Sequence, residues 1–300
     1  MEFHTMATFG KPEKDSAEVI SGAAMAHRRR LVDEMTFELT PLKSVDAGIV
    51  ALPANSQVSV TASPVKGLKA TIELTDKLRD LGHRPVPHIS ARLVEGPDHV
   101  AHLARWFKTE GHDTIFVVAG DSEEPVGPYH GAHSFLTELF SQEHGLSTVG
   151  VASYPDGHAL IRTEIGHQHL HMKQALLAEA GVNGWASTQM CFDTDLIGSW
   201  LRGEREAGFT LPIHLGIPGV VDRTKLMTMG VRLGVGASLR YLKKNRAAVT
   251  KLLAPGAYDP NDILHPLVPE LEGLGIEGLH VFTFNQVDAT NAWRQAILAE

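Results

Sequence analysis

The fold class this sequence predicts is a single (β/α)8 barrel, and three observations predict it. Short β-like runs alternate with amphipathic helical stretches along the chain, about eight such units fit into 300 residues, and strand after strand ends in a polar residue able to do chemistry. Strands separated by single helices pair in parallel through right-handed crossovers. An open doubly wound sheet often carries a glycine-rich fingerprint after an early strand, and no Gly-x-Gly-x-x-Gly motif follows an early strand here. Barrels commonly reach this length as one domain.

Residues 1–30 read as an N-terminal extension, with Met1 to Thr5 a remnant ahead of a start at Met6. Arg28-Arg29-Arg30 reads as a solvated helix end. The barrel then occupies 31–300. Strands are expected over 35–40, 57–61, 85–90, 114–120, 147–153, 185–191, 211–216 and 278–284. Ile115-Phe116-Val117-Val118 is the clearest, since strands covered on both faces read as apolar β-branched and aromatic runs. Leu68, Ile72, Thr75, Leu78 and Leu81 form a helical stripe stopped by Gly82. Val100, Leu103, Ala104 and Phe107 form the next, with Asp98 as the expected N-cap and Gly111 as the stop. Phe135, Leu136, Leu139 and Phe140 make a third, stopped by Gly145. Stretches at 196–201, 226–233, 239–253 and 292–298 continue the pattern.

Composition narrows the function. With 27 Lys+Arg against 35 Asp+Glu the formal charge is −8, which disfavours nucleic acid and anionic membranes as partners. Cys191 is the only cysteine, so no intramolecular disulfide forms and a reducing, cytoplasmic setting is expected. No apolar run approaches the roughly 20 residues that span a bilayer. Neither a Gly-x-Ser-x-Gly elbow nor a P-loop is present.

The strand ends carry the candidate chemistry. Glu38, Thr61, His88, Asp121, Tyr154, Gln189 and Asn285 fall at or near successive ends, which a barrel gathers around one mouth. Glu38 and Asp121 are two carboxylates converging there; in a partly apolar pocket their pKa values should separate into one proton donor and one lasting anion. The structural alternative makes Asp121 a cap for the segment that follows it. In His167-Gln168-His169-Leu170-His171 only His167 and His171 share a helix face, and the expected carboxylate or cysteine partners are not evident nearby. A solvated helix start is expected there, and no metal.

Together these strand ends resemble the methylenetetrahydrofolate reductase family. Phe37-Glu38-Leu39-Thr40-Pro41 is similar to that family's first strand, Val58-Ser59-Val60-Thr61 to its second, Pro87-His88-Ile89 to its third and Gly120-Asp121 to the Arg-Gly-Asp end of its fourth. Tyr154-Pro155-Asp156-Gly157-His158 resembles its Tyr-Pro-Glu-x-His stretch. Ala180-Gly181, Thr188-Gln189 and Phe192-Asp193 follow in family order, and Phe282-Thr283-Phe284-Asn285 resembles its last strand. The motifs keep their order over 36–296.

The resemblance implies reduction of 5,10-methylenetetrahydrofolate to 5-methyltetrahydrofolate with electrons from NADH or NADPH. It makes Glu38 the general acid that opens the substrate's imidazolidine ring to an iminium cation. Asp121 would stabilise that charge. Gln189, Asp121, Asn285 and Gln286 would bind substrate, while Thr61, His88, Gly120, Tyr154 and His158 would line the cofactor pocket. Family members carry FAD as a hydride relay, and here its usual contacts are altered. Ala119 stands for an arginine, Ala62 for an aromatic, Leu177 for a phosphate-binding lysine and Leu170 for an aspartate. Each lost charge-assisted hydrogen bond is worth roughly 1.5–3 kcal/mol, so tight FAD binding is not expected. Compensation by Lys173, Arg162 or His167 is the alternative. Gln286 also replaces an arginine at the folate tail, and Asp222 lies where a phenylalanine is expected. Two other readings share these residues: a folate-dependent one-carbon transferase, and a non-catalytic folate-binding barrel.

Overall fold

In the computed structural model, which describes residues 20–63, 65–158, 161–232 and 256–300, eight parallel strands close in sequence order into a barrel. They are β1 (Thr36–Leu39), β2 (Gln57–Val60), β3 (Arg84–Ser90), β4 (Thr114–Val118), β5 (Thr148–Ser153), β6 (Asn183–Thr188), β7 (Ile213–Pro218) and β8 (Ile276–Phe282). All eight lie where the sequence predicts them, within three residues at either end. Closure is made by β1 against β8, where Thr36 pairs with His280 and Glu38 with Phe282.

The helices are α1 (Gly22–Asp33), α2 (Val45–Val50), α3 (Gly67–Asp80), α4 (Pro97–Glu110), α5 (Ala132–Leu139), α6 (Thr163–Glu179), α7 (Thr194–Glu206), α8 (Arg223–Arg232), α9 (Asn261–Leu267) and α10 (Val287–Ala299). Three details differ from expectation. Gly96, not Asp98, is the N-cap of α4, because Pro97 already fits the first helical position and leaves Asp98 in the first turn facing the helix dipole. α5 ends at Leu139, six residues before Gly145. Arg28 is not solvated: it is buried in α1, and its guanidinium reaches Glu300 at 2.7 Å and Asn261 at 3.2 Å. Part of the expected N-terminal extension is thus a helix tied to the chain's last residue. The helical stretch expected at 239–253 lies outside the described residues, and none of the described helices is long and apolar enough to cross a membrane.

Strand alternation separates two cores. Phe37, Leu39, Val58, Val60, Ile89, Ile115, Val117, Val149, Val151, Leu215 and Leu279 belong to the large layer between strands and helices. Positions of the other parity fill the barrel's inside, where Val86, Phe116 and Trp185 form a separate apolar cluster. Aliphatic layers usually fill this space; here it is mostly rings. Phe116 lies 4.7 Å from His88 and 6.2 Å from Trp185, Trp185 stacks on His214 at 5.1 Å, and His280 lies 5.0 Å from Phe282, centroid to centroid. Glycines make the room. A Cβ on Gly150 would come within 2.3 Å of the Trp185 ring, and one on Gly278 within 2.5 Å of His214.

Candidate active site

A cavity of about 1290 Å³ opens at the C-terminal ends of the strands and runs outward to α6 and α7. Its floor is the polar part of the barrel interior. Glu38 points inward from β1 and is 8% exposed. Its Oε2 lies 2.9 Å from Nε2 of His280 on β8, while its carbonyl accepts from the Thr283 hydroxyl. One carboxylate oxygen is thereby fixed, and the rotamer with it. His88 on β3 is buried, meets the Ser59 hydroxyl on β2, and is held far below the usual histidine range by burial, with His280 adding to the shift. His214 is driven down to about 3 by the same two causes in the same order. Both rings are therefore neutral at physiological pH, which suits a floor that must not compete for Glu38 as permanent cations.

The wall past β4 depends on Gly120. It takes φ +94°, and a Cβ there would sit 1.8 Å from the Ser90 hydroxyl oxygen, so the chain can approach β3 only without a side chain. This turn brings Asp121 to the cavity wall as an exposed carboxylate. The residues after Asp121 form bends rather than a helix, so it caps nothing there. Tyr154, past β5, packs edge-on against His158 at 4.8 Å, and burial followed by the Asp121 charge raises its phenol to about 12. Gln189, past β6, accepts from the Met190 amide through its side-chain oxygen, leaving its NH2 group free to donate into the cavity. The Thr61 hydroxyl is buried with no hydrogen-bond partner, on the same wall.

Seven of the predicted residues therefore share one cavity, with Gly120 lining it as backbone: Glu38, Thr61, His88, Asp121, Tyr154, His158 and Gln189. Two do not. Asn285 adopts a left-handed φ of 63°, and its amide is consumed in bonds to the Thr40 N–H, the Thr40 carbonyl and the Ser44 hydroxyl. It staples the end of β8 to the loop after β1 and lies outside the cavity lining. Gln286, beside it, accepts from the Asp222 amide and is likewise no part of that lining.

The four positions that the resemblance sets against flavin contacts fall as follows. Leu177 is buried against Gly184 on β6, so it serves helix–strand packing, and Leu170 is buried one or two turns earlier on α6. Ala62 and Ala119 line the cavity without charge. Among the described residues, the Arg and Lys side chains on the wall are Arg92, Arg162 and Lys173. Arg92 is committed to the carbonyls of Ser122, Glu123 and His130, and Lys173 to that of Ala152. Arg162 faces Glu164 at 3.6 Å. Glu38, Asp121, Glu164 and Glu204 line the same space. Among the described residues, this donor set does not fit a resident dinucleotide held through its pyrophosphate.

Sequence reasoning missed His280, Arg92 and Glu204, and named Lys173 only as a compensating flavin contact. His280 had a signal, a polar residue at the inward parity of a strand whose outward positions are Leu279 and Val281; the others come from helices or loops whose approach only the fold reveals.

The fold and site define a (β/α)8 barrel with a buried acid at the base of a large mouth cavity. No family model matches the chain. Among solved structures it is similar to a "putative lyase/mutase" from Burkholderia cenocepacia J2315, with TM-score 0.44 and 11% identity over 89% of this chain and 86% of that one. It is also similar to a "putative deoxyribose-phosphate aldolase" from Toxoplasma gondii ME49, with TM-score 0.43 and 13% identity over 92% of this chain and 99% of that one. At such identities neither passes a reaction to this chain.

Proposed function

We propose that this protein is an oxidoreductase of the methylenetetrahydrofolate reductase type, taking hydride directly from NADH or NADPH without a resident flavin. The observation that carries the reading is Glu38, buried at the base of the cavity with one oxygen fixed by His280 and the other available to a ligand. A general acid needs that combination of a set rotamer, a dry environment and one oxygen facing substrate.

Glu38 would give its proton to the ring nitrogen that departs as the imidazolidine C–N bond breaks, leaving the remaining C–N pair as an iminium. Asp121, an anion at the cavity wall, would stabilise that positive charge. Gln189, through its free NH2 group, and Thr61, through its unpartnered hydroxyl, would donate or accept toward the bound rings. Hydride then adds to the iminium carbon, completing a methyl group. His280 acts here as a positioning residue.

The wall chemistry supports a transient cofactor over a resident one. A nicotinamide that binds and leaves each turnover needs only modest affinity, whereas a flavin retained through purification needs several decades more. The test is an absorbance spectrum of the purified protein followed by NADH oxidation with and without methylenetetrahydrofolate. Expected are no flavin bands, folate-dependent oxidation without added FAD, and a loss of about 10²–10⁴-fold in kcat for Glu38→Gln. Stoichiometric flavin in the purified protein overturns the cofactor reading. Unchanged turnover in Glu38→Gln overturns the mechanism.

A further inference from the structure

Helix α6 carries His167 and His171 one turn apart on the same face, and the neighbouring α7 supplies a carboxylate that meets both. Glu204 Oε2 lies 2.9 Å from Nδ1 of His167 and 2.9 Å from Nε2 of His171. The two imidazole rings sit 4.4 Å apart, and Phe209 packs against the His171 ring at 5.6 Å. One nitrogen from each ring and one carboxylate oxygen thus converge within 4.8 Å of one another.

We infer that His167, His171 and Glu204 form a binding site for a divalent transition metal, zinc above all, on the outer rim of the cavity. Three features carry this beyond a chance cluster. The first is burial: the Glu204 side chain is only 5% exposed, yet it is a carboxylate, and both its nearest partners address the same oxygen. Burying an ionised carboxylate is costly unless it is paired or coordinates a cation. The second is the donor set, since two imidazoles and one carboxylate suit zinc and leave a coordination position open. The third is access. The His167 and His171 side chains are 44% and 24% exposed, and His167 and Glu204 both line the cavity, so the open position faces solvent and any ligand held there.

Geometry agrees. Zinc bonds of about 2.0–2.1 Å at tetrahedral angles put neighbouring donors about 3.3 Å apart. Each 2.9 Å edge would open by a few tenths of an ångström, within reach of small rotations of the exposed His167 ring and the half-buried His171 ring. The fourth position would take water or an anionic oxygen from a molecule in the cavity. The inference stands apart from the folate reading, because it uses none of the residues on the barrel floor.

The test uses the full chain, dialysed against a chelator and titrated with Zn²⁺ against a chromophoric competitor. The chain holds 17 histidines, so a surface control is needed. One equivalent should bind, with affinity at least tenfold weaker in His171→Ala and Glu204→Gln, and unchanged in His102→Ala and in Glu38→Gln. Co²⁺ should give visible bands of low coordination number in the parent and lose them in His167→Ala/His171→Ala. Zn²⁺ should raise the Tm of the parent but not of that double variant, which also reports whether the variant folds. Equal zinc affinity in the parent and the folded double variant overturns the site, as does a loss in His102→Ala matching that in His171→Ala.

Discussion

Glu38, Asp121 and Gln189 could be picked out from the chain because each falls at or near the end of a strand-like run, and a barrel brings such ends together whatever their separation. His280 could not be paired with Glu38 in advance: the two are 242 positions apart and meet only when the last strand closes on the first. Lys173 was legible as a cation but not as a buried one. Its side chain is tucked against the Ala152 carbonyl, and burial lowers its amine to about 8. The folded pKa lies below the unfolded value of 10.5, so below pH 8 the charge costs stability, and that cost fades as pH rises from 8 toward 10.5. Lys173→Met removes it. The variant should gain about 1–3 kcal/mol at pH 7 in urea unfolding, after allowing for the lost hydrogen bond, and the gain should shrink above pH 8. A Met variant less stable than the parent at pH 7 would contradict this.

Among the elements, the strands were read correctly because their outward positions are apolar and mostly β-branched, while their bounds moved where pairing overrode propensity. β6 starts at Asn183 and Gly184, poor strand formers, because β5 offers them partners from Thr148 onward. What the sequence hid was the reason for its strand glycines. Gly150 and Gly278 look like weaknesses in β5 and β8, yet each clears space for a ring from a neighbouring strand. Gly150→Ala should therefore cost about 1–3 kcal/mol through overpacking against Trp185 and Phe116. Gly203 makes the comparison: it lies inside α7 with nothing within 4 Å of its virtual Cβ, so Gly203→Ala should gain about 0.5–1 kcal/mol from helix propensity. Thermal unfolding of the two variants checks the pair, and shifts of the same sign would refute the packing argument.

At the scale of the whole molecule, the barrel interior is a single compartment to which all strands contribute, and its histidines make it sensitive to acid. His214 is held at about 3 and His88 far below its usual range, in both cases by burial first and His280 second. The unfolded chain has no such constraint and protonates near 6.5, so it takes up protons that the folded barrel refuses. Stability is then full above pH 6.5 and falls as pH drops through the window between 6.5 and about 3, by about 1.4 kcal/mol per pH unit for His214, with His88 adding a loss of the same sign. Because the rings touch β3, β4, β6, β7 and β8 together, that loss is felt by the closed sheet and not by one loop. Urea unfolding from pH 7 to pH 4 should show this slope, and His214→Asn should lower stability at pH 7 through lost packing yet flatten the slope by about one proton. A variant whose stability falls with acid as steeply as the parent's would place the titrating groups elsewhere.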